Sequence, residues 1–162
     1  MSDRSGRTTP IGLYHYAYSY AASASALSKL KVKANHADAP VRFLYTHAIE
    51  LYLKAFLLTQ GLTVKRLGGR EFGHNIDRLM EKSRELGLDV EHEHWSQRWL
   101  LNEAIRDRYI EAGYRQVLTE ESLHGLCLQL HNQVGLPIYQ ADGIARAIPG
   151  LPSIGASGDT DS

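Results

Sequence analysis

The stretch APVRFLYTHAIELYLKAFLLTQG, residues 39–61, decides the fold, because it forms one long helix that is apolar on almost every side. At about 100° of rotation per residue, one face of this helix collects five apolar side chains: Leu44, Ala48, Leu51, Ala55 and Leu58. Pro40 suits the first helical turn, where its missing N–H costs nothing, and Gly61 ends the helix. We expect this helix to be the most buried element of the fold.

Three ionisable side chains interrupt the same helix and lie on one stripe beside the core face: His47, Glu50 and Lys54. Burying such groups without partners is costly. Glu50 and Lys54 are spaced i, i+4 and can neutralise each other. Otherwise the stripe meets a partner helix, a second subunit or a ligand.

Helical periodicity predicts four further helices, and no segment alternates with the period of a β-strand. They span residues 13–33, residues 75–86 with Asn75 as N-cap, residues 94–112, and residues 119–135 with Thr119 as N-cap. The sequence therefore predicts an all-α bundle of about five helices over residues 13–135. We expect a flexible N-terminus over residues 1–12, a mobile glycine-rich loop over 62–73, and a largely disordered tail over 136–162.

Composition places the chain among single-domain proteins of a reducing compartment. A length of 162 residues suits one domain, and the single cysteine, Cys127, cannot form an intramolecular disulfide. No apolar run is long enough for a membrane helix, and the N-terminus has no signal-peptide core. We expect a soluble cytoplasmic protein.

Net charge is zero, but the charge is divided unevenly between the two halves of the chain. Residues 1–84 carry a net charge of +7 and residues 85–162 carry −7. Two interpretations stay open: the halves meet within one bundle or across a dimer, or the basic half offers a face that receives phosphates.

Several segments together resemble the HEPN superfamily of small helical bundles, over roughly residues 14–134. They are the helix FLYTHAIELYLKAFL, the glycine loop after it, the next helix entry GHNIDRLMEKSRELGL, and the Arg-Tyr of AIRDRYIE at 104–111. The resemblance implies a dimer. It also implies either an RNA-cleaving component of a toxin or defence system or a non-catalytic partner of a nucleotidyltransferase or another protein.

The family's catalytic signature is an Arg followed four to six residues later by a His, usually in a later helix of the bundle. Here that spacing occurs as Arg42 to His47 in the second helix, whereas Arg106 in the later helix has no such His. By the resemblance, Arg42 would hold the scissile phosphate and His47 would accept the 2′-hydroxyl proton without a metal. On one helix these two side chains point about 140° apart, so they converge only through the length of arginine or across a two-fold axis.

Other residues are expected to support this pair. Glu50 and Lys54 share the stripe with His47, and His74, at the start of a helix, either caps that helix or contacts phosphate. Arg106 and Tyr109 match the family's Arg-Tyr positions; the alternative is a salt bridge from Arg106 to Glu103 and a tyrosine in the core. Three basic residues of the glycine loop are candidates for binding RNA: Lys65, Arg66 and Arg70.

Two further groups of residues bear on metals and on self-association. His124, Cys127 and His131 share a helical stripe and His92 and His94 flank Glu93, but neither spacing matches a zinc site, so we expect no metal and no cofactor. Four tyrosines are spaced by two: Tyr14, Tyr16, Tyr18 and Tyr20. A helix spreads them around its surface, which favours self-association as a homodimer. The apolar character of residues 43–58 and the run of small residues at 21–26 predict that this dimer forms near the first two helices.

Overall fold

The structure, a computed structural model, describes residues 5–106 and 117–154. Within these two ranges all regular structure is helical and there is no β-strand, which confirms the predicted all-α class. After a single 3-10 turn at Ser5–Arg7 the elements are α1 (Pro10–Ser28), α2 (Ala39–Thr59), α3 (Val64–Leu67), α4 (Ile76–Glu85), α5 (His92–Ser96), α6 (Arg98–Arg106) and α7 (Glu120–Ala141).

The predicted helices are present, but some are divided or shifted. The predicted glycine loop contains the one-turn helix α3, and the predicted helix 94–112 is split at Gln97 into α5 and α6. Residues 107–112 of that prediction lie outside the described part of the chain. α1 begins at Pro10 with Thr9 as its N-cap, so the end of the expected flexible N-terminus is helical.

Side-chain caps fix where the helices begin. Asn75 Oδ1 accepts from the backbone N–H of Arg78 at 3.1 Å, and Thr119 Oγ1 accepts from that of Ser122 at 3.1 Å. Both N-caps were predicted, because Asn and Thr oxygens satisfy N–H groups that the first helical turn leaves unpaired. Asn75 Oδ1 also accepts from Asn102 Nδ2 at 2.7 Å, which ties the start of α4 to α6.

Helix α2 is the centre of the bundle. α1 packs along it, α7 packs against both α1 and α2, and α4 and α6 contact each other and α2. The small side chains Ala17, Ala21 and Ala24 on α1 are fully buried. Ala21 and Ala24 belong to the run AASASA at residues 21–26, whose small side chains allow close packing of α1 against α2.

The buried face of α2 is not the one that the apolar count predicted. Ala48 and Ala55 are fully buried, but Leu44, Leu51 and Leu58 are only partly so. The core is formed instead by larger side chains of α2 that are 0% exposed: Tyr45, Ile49, Tyr52, Leu53 and Leu57. The prediction was wrong because two tyrosines, which the apolar count left out, point inward and find hydrogen-bond partners there.

The C-terminal boundary also differs from the prediction. α7 does not stop at Gly135 but continues through Pro137 to Ala141. The following segment returns to the bundle, where Ile148, Leu151 and Ile154 pack against the core. The prediction of a disordered tail was wrong for residues 136–154, because apolar side chains among the Pro and Gly anchor the segment; residues 155–162 lie outside the described ranges.

Candidate functional site

A buried carboxylate on α2 is the centre of the candidate site. Glu50 is 3% exposed. Its Oε1 accepts from Lys54 Nζ at 2.6 Å, which is the i, i+4 pair that the sequence indicated, and from His74 Nδ1 at 3.1 Å. Because a buried charge needs compensation, this carboxylate holds two hydrogen-bonded partners next to one another.

His74 belongs to the loop that leads into α4, and Asn75 rather than His74 caps that helix. Its side chain is 77% exposed although Nδ1 faces Glu50. The Glu50 contact therefore orients the ring, and Nε2 is left without a partner among the described residues. A carboxylate that fixes one ring nitrogen while the other faces solvent is a usual arrangement for a histidine that exchanges protons.

His47 lies one helical turn before Glu50 and is half-buried between two aromatic rings. The Tyr20 ring meets it edge-on with centroids 4.5 Å apart, and the Phe43 ring lies parallel with centroids 6.1 Å apart. Burial lowers the pKa of His47, opposed by the Glu50 carboxylate and assisted by the nearby His74 and Lys54. The lowered pKa favours the neutral imidazole, which is the form that accepts a proton.

The structure does not bring Arg42 to His47. Arg42 pairs with Asp38, the residue just before α2, at 2.7 Å, and both of these charges act on Glu120 at the start of α7. His47 instead faces Tyr20 on α1 and the group of Glu50, Lys54 and His74, which we call the Glu50 cluster. The two residues thus serve different faces of α2, as their spacing of five indicated.

The glycine-rich loop over residues 62–73, called the basic loop from here on, carries one cation that is paired with a carboxylate and two that are not. Arg66 pairs with Glu71 through Nε at 3.1 Å and lies over the Phe72 ring. Lys65 and Arg70 are exposed and form no ion pair within the described part of the chain. Of the three predicted RNA-binding residues, Lys65 and Arg70 therefore carry a positive charge that no carboxylate of the described residues neutralises.

Two of the predicted supporting residues cannot be placed at the site. Arg106 is the last residue of α6 and its side chain is not described, while Tyr109 lies in the undescribed range 107–116. Their expected roles remain predictions.

Sequence reasoning missed a second polar cluster, which is buried between α1, α2 and α7. Tyr52 Oη lies 2.9 Å from His131 Nδ1, Tyr14 Oη lies 3.2 Å from the His131 carbonyl oxygen, and His131 Nε2 lies 2.5 Å from the Pro149 carbonyl oxygen. A carbonyl only accepts, so Nε2 carries the proton and Nδ1 accepts from Tyr52. Burial lowers the pKa of His131, opposed by the Pro149 hydrogen bond.

This cluster accounts for the histidine stripe that the sequence raised for metal binding. His131 is held by tyrosines, His124 Nδ1 lies 3.2 Å from Tyr45 Oη, and the Cys127 thiol is buried against the Tyr45 carbonyl. No group of three or more His, Cys, Asp or Glu side chains is arranged for a metal within residues 5–106 and 117–154. The pairing of Tyr14 and Tyr52 with His131 could not be found from local spacing, because the partners are separated by 117 and 79 residues.

Comparison of the chain with known protein families, with characterised proteins and with solved structures finds no match. Within the described ranges, no helix has both the length and the apolar character that a membrane crossing needs.

Proposed function

We propose that this protein binds RNA and cleaves it without a metal ion at the Glu50 cluster, as a HEPN-like component of a toxin or defence system. The observation that carries the proposal is the buried Glu50 carboxylate, which holds His74 and Lys54 one turn away from a neutral histidine. Clusters of ionisable side chains around a histidine whose pKa burial lowers, as here for His47, are more frequent at functional sites than elsewhere.

The two histidines have complementary positions for acid and base catalysis. His47, held neutral, accepts the proton of the 2′-hydroxyl, whose oxygen attacks the adjacent phosphorus. The bond from phosphorus to the 5′ oxygen breaks, and that oxygen takes a proton from Nε2 of protonated His74. The products are a 2′,3′-cyclic phosphate and a 5′-hydroxyl, and proton exchange with water restores both rings.

The basic loop provides the means of holding RNA. His74 follows that loop in the chain, and the loop carries Lys65 and Arg70, which form no ion pair within residues 5–106 and 117–154. Arg42 has no part in this scheme within one chain, because Asp38 neutralises it and it faces α7. A role for Arg42 would require a second subunit.

The test is cleavage of a mixed-sequence RNA by purified protein in the presence of EDTA. His47→Ala and His74→Ala should each reduce cleavage by at least about 100-fold, which is the usual contribution of a general acid or base. His92→Ala is the matched control, because His92 is exposed at the start of α5 and belongs to neither cluster. Full cleavage by either folded variant removes that histidine from the mechanism, and loss of cleavage in EDTA contradicts the metal-free scheme.

A second candidate is a non-catalytic, dimeric interaction module that pairs with a nucleotidyltransferase or another protein. Exposed aromatic side chains on the first two helices favour it: Tyr16 is 64% exposed and Phe43, beside His47, is 49% exposed. Under this alternative Glu50 only fastens the loop to α2. Wild-type protein that cleaves no RNA, and whose dimer is lost on Phe43→Ser, would support this candidate over the first.

A further inference from the structure

The chain after α7 lies along α1 and α7 with a repeat of three residues. Ile148, Leu151 and Ile154 pack against the core, whereas Gly150, Pro152 and Ser153 between them are exposed. A polyproline II helix has three residues per turn, so every third side chain falls on one face. The two prolines, Pro149 and Pro152, also recur at this interval and fix φ near the value of that helix.

Helix side chains bind this segment through its backbone carbonyl groups. His131 Nε2 donates to the Pro149 oxygen at 2.5 Å and Tyr18 Oη donates to the Gly150 oxygen at 3.4 Å. Ser25 Oγ contacts the Pro152 and Ser153 oxygens at 3.2 and 2.5 Å. Within the described part of the chain, residues 148–154 make no backbone–backbone hydrogen bond, so their carbonyl groups are available to such donors.

Residues 148–154 thus lie in a groove between α1 and α7, and aromatic rings line this groove. The Tyr14 ring is stacked on the His131 ring with centroids 5.1 Å apart, and the Tyr18 ring lies 5.3 Å from the His131 ring. Aromatic grooves whose polar tips donate to carbonyl groups are a recurring means of recognising proline-containing segments. The groove therefore has the chemistry of a peptide site, and residues 148–154 of the same chain fill it.

We propose that the groove between α1 and α7 is a recognition site for an extended segment of a partner protein, and that residues 148–154 occupy it in cis. The segment that fits has apolar residues at every third position and prolines between them, as in Ile-Pro-Gly-Leu-Pro-Ser-Ile. This proposal does not depend on RNA cleavage, because none of the groove residues belongs to the Glu50 cluster.

The tail competes with any partner segment. Residues 145–147, which connect it to the bundle, are exposed, so the tail can leave the groove without unfolding α7. A short flexible tether holds its ligand at an effective concentration on the order of 1 mM. A partner segment gains access either by binding more tightly than the tail or when the tail is held elsewhere.

The experiment measures binding of a fluorescent peptide with the sequence of residues 146–155, RAIPGLPSIG, to the full chain by anisotropy. Leu151→Asp with Ile154→Asp in the protein should release the tail and raise peptide affinity at least about ten-fold over wild type, since it removes the tethered competitor. Adding Tyr18→Phe and Ser25→Ala should weaken that binding. Tyr16→Phe, an exposed tyrosine on the same helix, is the matched control and should leave binding unchanged.

The specificity of binding is tested with a second peptide in which Leu151 and Ile154 are replaced by aspartate. This peptide should not bind. Circular dichroism establishes that each variant is folded, and Leu151→Ala replaces the double variant if the latter is not helical. Absence of saturable peptide binding to the folded tail-released protein, or equal binding of the aspartate peptide, overturns the proposal.

Discussion

Glu50 and His74 are 24 residues apart in sequence, yet a carboxylate oxygen of Glu50 lies 3.1 Å from Nδ1 of His74. This hydrogen bond connects the loop before α4 to the middle of α2. The two partners of Glu50 differ in exposure, since the His74 side chain is 77% exposed and that of Lys54 only 14%. Lys54 therefore compensates the buried charge more effectively than His74 does.

Replacing Lys54 should destabilise the fold more than replacing His74. Lys54→Met leaves the buried Glu50 with only an exposed partner and should cost about 1.5–3 kcal/mol of unfolding free energy, as for other hydrogen bonds to charged groups. His74→Ala should cost no more than about 1 kcal/mol, because its ion pair is largely solvated. Urea denaturation checks both. Adding Glu50→Gln to Lys54→Met should recover part of the loss; no recovery would mean that packing of the lysine stem, not charge, is responsible.

Two glycines of α7 should respond in opposite directions to alanine. At Gly135 an added Cβ would overlap the Tyr14 ring, coming within 2.6 Å of Cζ, so Gly135→Ala should destabilise by about 1–3 kcal/mol through overpacking. At Gly125 a Cβ would meet only the His94 ring at an ordinary 3.6 Å, so Gly125→Ala should stabilise by up to about 1 kcal/mol through helix propensity. Thermal unfolding of the pair checks this, and a stable Gly135→Ala would show that Tyr14 can move away.

Mild acid should destabilise the fold. Burial is the largest cause that lowers the pKa of His47, His124 and His131 below 6.5 in the folded state. Below about pH 6.5 the unfolded chain therefore binds more protons, so the stability is complete above that pH and is lost as pH falls toward the folded-state pKa values.

His124→Gln should make this pH dependence shallower, because it removes one of the three groups while Gln can still accept from Tyr45. His92→Gln, at an exposed site, should leave the slope unchanged. The measurement is the unfolding free energy in urea between pH 7.5 and about pH 5. A slope that His124→Gln does not alter would place the acid sensitivity in other groups.

Local features of the fold could be predicted from sequence, whereas long-range pairings could not. Asn75 and Thr119 were identified as caps because capping depends on three adjacent residues. The inward direction of Tyr45 and Tyr52 was missed, since the hydrogen-bond partners that make their burial favourable lie on α7, 79 residues away. The same limit applies to the tail. Its Pro and Gly content is typical of disordered segments, whereas its order depends on long-range contacts such as the hydrogen bond from Ser25, which the local sequence does not reveal.

The candidate site shows the same division. Proximity of Glu50 and Lys54 followed from helical spacing, but the approach of His74 depends on how the intervening loop folds back onto α2. The spacing of Arg42 and His47 was visible in the sequence, and so was their angular separation. Their different neighbours, Asp38 and Tyr20, come from the packing of the whole bundle.

RNA binding, if it uses the basic loop, should separate the three cations of that loop by their salt dependence. Each cation that neutralises a phosphate of single-stranded RNA contributes about 0.7 to the slope of log affinity against log salt concentration. Lys65→Ala and Arg70→Ala should each reduce the slope by that amount, because both side chains are exposed and unpaired among the described residues. Arg66→Ala should change the slope little, since Glu71 already compensates Arg66 at 3.1 Å.

Fluorescence anisotropy with a labelled RNA at several salt concentrations gives the slopes. Three equal effects would show that RNA displaces Glu71 from Arg66. No effect from any of the three substitutions would place the RNA on another face of the protein.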